Sequence, residues 1–99
     1  MDRIVNFIMT HGTREIPISN KEICQQLNTT EVLVRKQINK ARRDGIPICA
    51  CQKGYFYSRD KSDILETIDS LMHRTISVEK AISGLLTTLR TEEGKDVNQ

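Results

Sequence analysis

Residues 19–48 read SNKEICQQLNTTEVLVRKQINKARRDGIPI, and no other stretch of the chain is so dense in structural signals. Ser19 with Glu22 three positions on is the spacing of a reciprocal capping box, so a helix is predicted to begin there. Ile23 and Leu27 face inward, and the small Cys24 between them lets another helix cross closely. Asn28 suits a sharp turn, because its short polar side chain tolerates the left-handed conformation. Thr30 then caps a helix from Glu31 to about Arg43, which Asp44-Gly45 ends and Pro47 keeps from continuing. The buried line of this helix is Val34, Ile38 and Ala41. At ~100° per residue, Val32, Lys36, Asn39 and Arg43 fall on the opposite side, flanked by Leu33, Arg35 and Lys40. That outward face is polar and basic.

On the N-terminal side, residues 3–11 place Ile4, Val5, Ile8 and Met9 on one helical face, with Asp2 as cap and Gly12 as stop. Residues 15–18 are β-branched, with Pro17 where an edge strand tolerates a missing donor. This segment is expected to pair with a later hairpin. On the C-terminal side, residues 48–51 and 55–57 are β-prone runs separated by Gln52-Lys53-Gly54, a hairpin in which glycine supplies positive φ. Lys53 falls at its tip, and Tyr55, Phe56 and Tyr57 alternate across its faces.

From about Asp60 to Leu89 the period is again helical. Ile64, Ile68, Leu71, Thr75, Val78, Ile82, Leu85 and Leu89 alternate in steps of four and three, the seam of a coiled coil. Such a helix spans roughly 45 Å and is expected to self-associate. The β-branched then leucine order of Ile68 with Leu71 and Ile82 with Leu85 leans toward two parallel strands. Leu65, Met72 and Leu86 widen the stripe, so packing on the chain's own core or a four-helix bundle stays open. Thr75 interrupts the seam and Ser77 could cap a new helix, so a break near residues 73–77 is the alternative to a continuous or kinked helix. The organisation expected is residues 1–58 as one small domain, 59–91 as an oligomerisation helix and 92–99 as a polar, frayed tail.

A net charge of +2 is uninformative, but its distribution is not. Residues 35–53 carry Arg35, Lys36, Lys40, Arg42, Arg43 and Lys53 against Asp44 alone, whereas residues 60–99 hold five cations against eight carboxylates. Clustering of this kind attracts phosphate even when the total charge is small. No apolar run approaches the ~20 residues of a membrane span, and residues 1–12 lack a secretory leader, so a cytoplasmic location is expected. The cysteines, Cys24, Cys49 and Cys51, are odd in number and are read as reduced thiols. Cys49 and Cys51 share a strand face and could be drawn with His11 or His73 around a metal, but Cys-x-Cys without a second paired motif is a weak signal. Asp60 with Asp63 and Glu92 with Glu93 read as helix-start and solubilising charges. No phosphate loop, nucleophile set or metal cluster is recognisable, so neither enzymatic activity nor a cofactor is expected.

Residues 18–57, above all LNTTEVLVRKQINKARRDGIPI followed by QKGYFY, resemble the winged helix-turn-helix at the N-terminus of biotin-operon repressors and related bacterial regulators. The resemblance implies an α+β fold of three helices and a small hairpin wing, here followed by the long helix. It also implies that the second helix of the motif enters the major groove of double-stranded DNA while the wing touches the adjoining backbone. Carried onto this chain, the groove-facing positions are Thr30, Glu31, Val32, Arg35, Lys36 and Asn39, with Lys53 at the wing tip. Nothing matches the ligase domain of the biotin repressor. A small winged-helix module with a helical tail also looks like proteins carried by bacteriophages and mobile elements.

Taken together, DNA contacts are expected from Thr30, Glu31, Val32, Arg35, Lys36, Asn39, Lys40, Arg43 and Lys53. Asn39 could bind adenine, Arg35 or Lys36 guanine, and Glu31 cytosine, while Val32 and Leu33 could meet thymine methyls, Leu33 being readable as a core residue as well. Self-association is expected through Ile64, Ile68, Leu71, Val78, Ile82, Leu85 and Leu89, as a dimer or a tetramer. The expected function is a sequence-specific regulator on a two-fold site. The alternatives are a protein-interaction module and a non-specific architectural DNA binder on the same helical scaffold.

Overall fold

The computed structural model describes residues 2–98, with side chains through Thr91. The fold is α+β: four helices and a two-stranded antiparallel hairpin, in the order α1 (Arg3–His11), α2 (Asn20–Leu27), α3 (Glu31–Arg43), β1 (Ile48–Cys51), β2 (Gly54–Tyr57) and α4 (Lys61–Asn98). The chain divides into two compact units, one ending at Thr67 and the other beginning at Ile68.

Each boundary in the first unit has a local cause. Asp2 accepts from the N–H groups of Ile4 and Val5 at 2.8 and 3.3 Å and so starts α1. Ser19 Oγ accepts from Glu22 N–H at 3.1 Å. The reciprocal half of the expected capping box is absent among the hydrogen bonds of the described residues, so the hydroxyl alone holds the first turn of α2. Asn28 adopts φ 51 and ψ 58. This left-handed turn lets the N–H groups of Asn28 and Thr29 both reach the Cys24 carbonyl, satisfying an acceptor that the helix end leaves over. Thr30 Oγ1 caps α3 through Leu33 N–H at 3.3 Å. At the far end, Gly45 N–H donates to Arg42 and Ile46 N–H to Ala41, at 3.0 and 2.9 Å, the paired bonds of a Schellman termination.

The core is built mainly from isoleucine. Ile4 and Ile8 of α1, Ile23 of α2, Val34 and Ile38 of α3, and Ile48 of β1 are fully buried, with Ile18, Ala41 and Phe56 beside them. Met9, Cys24, Leu27, Tyr55 and Tyr57 are half-buried against this cluster. Helices α1, α2 and α3 pack on one another, and the hairpin closes the remaining side against α1 and α3. Cross-strand partners run from Ile48 with Tyr57 to Cys51 with Gly54. The predicted edge segment is reduced to one residue, Ile18, whose N–H and C=O both bond Tyr55 at 2.8 Å.

The start of α4 belongs to the first unit. Asp60 Oδ1 accepts from the N–H groups of Ser62 and Asp63 at 2.9 and 3.2 Å, as expected of a helix-start carboxylate. Asp63 stands in the first turn as well, and it has further partners: it is 4% exposed, faces Arg14 Nη1 at 2.9 Å and accepts from Ser58 Oγ at 2.7 Å. Burial of a carboxylate is tolerated here because a cation and a hydroxyl replace its lost water. One turn on, Thr67 Oγ1 donates to Asp63 O at 3.0 Å and accepts the Ala50 N–H at 3.2 Å. That last bond satisfies an edge donor of β1 and ties the hairpin to the helix.

In the second unit α4 is one uninterrupted helix across residues 73–77. Thr75 Oγ1 donates back to the Leu71 carbonyl at 3.1 Å, so this threonine is accommodated within the helix instead of ending it. The expected polar tail, 92–99, lies outside the residues whose side chains are described. Among the described residues no helix is long and apolar enough to cross a membrane.

Gly54 is the most constrained position of the hairpin. Its φ is +146°, and a Cβ there would fall on the Ile18 carbonyl. Gly45, at φ +86°, has open space around it. Gly45→Ala is therefore expected to cost about 1 kcal/mol from conformation alone. Gly54→Ala should cost roughly 3 kcal/mol, because a close backbone contact must open as well. Urea unfolding of the two variants checks the difference.

Candidate nucleic-acid interface

The outward face of α3 follows from what its inward face must bury. With Val34, Ile38 and Ala41 committed to the core, the helical period delivers Val32, Lys36, Asn39 and Arg43 to solvent, and all four are exposed. Thr30, Glu31, Arg35 and Lys40 are exposed around them, and Lys53 is exposed at the hairpin turn. Leu33, which was also readable as core, is 38% exposed, and Val32 is 70% exposed.

The charges on this face are unneutralised. Among the described residues, Arg35, Lys36, Lys40, Arg43 and Lys53 make no ion pair, and their side chains make no hydrogen bond within the chain. Glu31 is the lone acidic residue of α3 and sits in its first turn, where it complements the helix dipole. The last turn holds Lys40, Arg42 and Arg43. Extended cationic side chains with no internal partner cost folding little and remain free for an external anion.

Two cations of the cluster are set apart. Arg42 is half-buried, and its Nε donates to the Ile48 carbonyl at 2.8 Å. It braces the end of α3 against β1, a structural role that the charge pattern concealed. Lys40 lies on the flank nearer α1, where it lines an open cavity of about 370 Å³ with Asp2, Gln37 and Asp44. Thr30, beyond its candidate contact role, is committed through its hydroxyl to capping α3.

The three thiols occupy different environments. Cys49 is buried, Cys24 half-buried with its Sγ 3.4 Å from Asn20 Oδ1, and Cys51 exposed. Among the described residues no group of three or more His, Cys, Asp or Glu side chains converges as a metal site. His11 stacks obliquely on Phe7 at 4.8 Å, and His73 lies 3.6 Å from Asp69 on α4. No family model, curated protein or solved structure matches this chain.

Burial pushes the Cys49 thiol above its ordinary range. A raised folded-state value stabilises the fold fully below the unfolded thiol value of about 8.5 and is lost as pH rises past it. Alkaline destabilisation should therefore be smaller in Cys49→Ala than in the parent chain, measured as the change in urea midpoint between about pH 8 and pH 10. With a chromogenic disulfide at about pH 8, Cys51 should react first and Cys49 only on unfolding, since the thiolate is the reactive form.

Proposed function

We propose that this chain is a small, sequence-specific double-stranded-DNA-binding protein of the winged helix-turn-helix type, a transcriptional regulator that acts as a dimer or higher oligomer on a two-fold site. The observation that carries the reading is the outward face of α3, where Arg35, Lys36, Asn39 and Arg43 are exposed and unpaired while Val34, Ile38 and Ala41 are buried on the other side. A capped helix, a left-handed turn at Asn28, a basic second helix and a following hairpin support it jointly. In this reading α3 lies in the major groove and Lys53 reaches the phosphate backbone beside it. Asn39 offers a donor and an acceptor to adenine, Arg35 or Lys36 donates to guanine, Glu31 accepts from cytosine, and Val32 packs against a thymine methyl. The protein acts by binding and carries out no catalysis.

The apolar stripe of α4, from Ile64 through Ile68, Leu71, Val78, Ile82, Leu85 and Leu89, supplies self-association. Two copies of α3 then meet half-sites separated by a helical turn of DNA or a multiple of it. A protein-interaction role for the same face is the second reading, favoured by the exposure of Val32 and Leu33. Charge reversal at Arg35, Lys36 and Arg43 abolishes binding in the first reading and leaves a protein contact intact in the second.

Fluorescence polarisation against fragments drawn from a genomic pool tests the proposal. Binding at about 50 mM salt should weaken steeply as salt rises, with a specificity ratio well above one for the selected fragments. Absence of binding at that salt overturns it, and equal affinity for all sequences leaves only an architectural role. Lys36→Ala should lower affinity several-fold and reduce the salt slope by about 1, with unfolding free energy changed by no more than about 0.5 kcal/mol. Ile82→Asp, which buries an unpaired charge at the seam, should dissociate the assembly in a sedimentation experiment.

A further inference from the structure

We propose that the apolar face of α4 between Ile68 and Leu89 is covered by the same face of a second copy running parallel and in register, with Arg74 of each chain paired to the partner's Glu79. The proposal rests on the self-association reading above and adds its orientation, register and polar contact.

The face needs a cover. Ile68, Val78, Ile82, Leu85 and Leu89 are all exposed, Leu85 to 71%. Together with half-buried Leu71 they continue one stripe for three heptads, far more apolar length than a solvated helix carries.

The charges beside the stripe choose the occupant. The residues flanking the seam are Thr67, Arg74, Ala81 and Thr88 on one side and Met72, Glu79 and Leu86 on the other. Arg74 and Glu79 are the charged ones, they are opposite in sign, and they are five residues apart. Five residues is the offset at which the two flanks of parallel, in-register helices meet across the seam. Neither residue has a partner at home. Positions three and four away from Arg74 are Ser70, Leu71, Ser77 and Val78, those from Glu79 are Thr75, Ile76, Ile82 and Ser83, and among the described residues neither side chain makes an ion pair. Asp69, by contrast, has His73 one turn on at 3.6 Å.

Antiparallel helices would set each flank against its own kind. Arg74 would then face Thr67, Ala81, Thr88 or another Arg74, and Glu79 would face Met72, Leu86 or another Glu79. Neither charge could be neutralised. Parallel register gives two symmetric Arg74–Glu79 pairs that bracket the Thr75 layer.

Thr75 fits that layer. Its Oγ1 already donates to Leu71 O at 3.1 Å, so it can enter an interface without an unsatisfied hydroxyl, presenting its methyl. Ile68 and Ile82 at one seam position with Leu71 and Leu85 at the other favour two strands over three or four.

Sedimentation equilibrium of the full-length chain and its variants tests this, with circular dichroism confirming that each remains helical. The parent chain should sediment as a dimer. Arg74→Glu and Glu79→Arg should each weaken it about tenfold, since two attractive exposed contacts become repulsive. The double variant, carrying both changes, should return to within about twofold of the parent. Loss of the single-variant effects at high salt further supports the ionic pair. A parent dimer indifferent to the single changes, or not rescued by the double one, overturns the register and orientation alone. A parent tetramer overturns the two-copy assignment, and a concentration-independent monomer overturns the underlying self-association reading as well.

Discussion

Two hydrogen bonds between Ile18 and Tyr55, each 2.8 Å, determine where the hairpin sits. They join the connection between α1 and α2 to β2, the second strand of the hairpin, and so bring the two halves of the first unit's sequence onto one core. The contact is close enough that position 54 must be glycine-like, both for its positive φ and for the carbonyl lying above it. With the hairpin placed, Ile48 and Phe56 complete the core that Ile4, Ile8, Ile23 and Ile38 begin. The orientation of α3 follows, because Val34, Ile38 and Ala41 have one apolar surface to meet. Exposure of its basic face is a consequence of core packing before it is anything to do with a partner.

Most of the local architecture was legible because short-range chemistry encodes it. Asp2, Ser19, Asn28, Thr30 and Gly45 each act on residues within a few positions and do so in the structure, and Gly54 has the positive φ expected of it, although it opens β2 opposite Cys51 instead of lying in the turn. The buried trio of α3 was legible from the helical period. The contacts that escaped reading join residues far apart and have no periodic signature. Asp63 starts a helix as its position implies, but its pairing with Arg14, nearly fifty positions earlier, has no signal in the sequence. Arg42 looked like one more cation of an exposed cluster, yet it braces β1. Thr67 carries no motif that marks its role, and it holds a strand donor.

The candidate interface was legible to a similar depth and for a similar reason. Which side chains of α3 face solvent is set by the angle per residue, so Arg35, Lys36, Asn39 and Arg43 could be placed from sequence. Which of them is already engaged depends on tertiary neighbours. Arg42 is withdrawn, whereas Lys40 stays exposed and unpaired beside a cavity that Asp2 and Asp44 also line. The basic surface therefore holds one cation fewer than the composition of α3 suggests.

The bonds made by Thr67 and Asp63 also bear on where the first unit ends. A fragment ending at Tyr57 contains α1, α2, α3 and both strands, yet it strips Arg14 of its carboxylate and the Ala50 amide of its acceptor. The first two turns of α4 are thus part of the globular unit's own wall. The division between the two compact units falls within a helix, near Thr67, and not in the loop that precedes it.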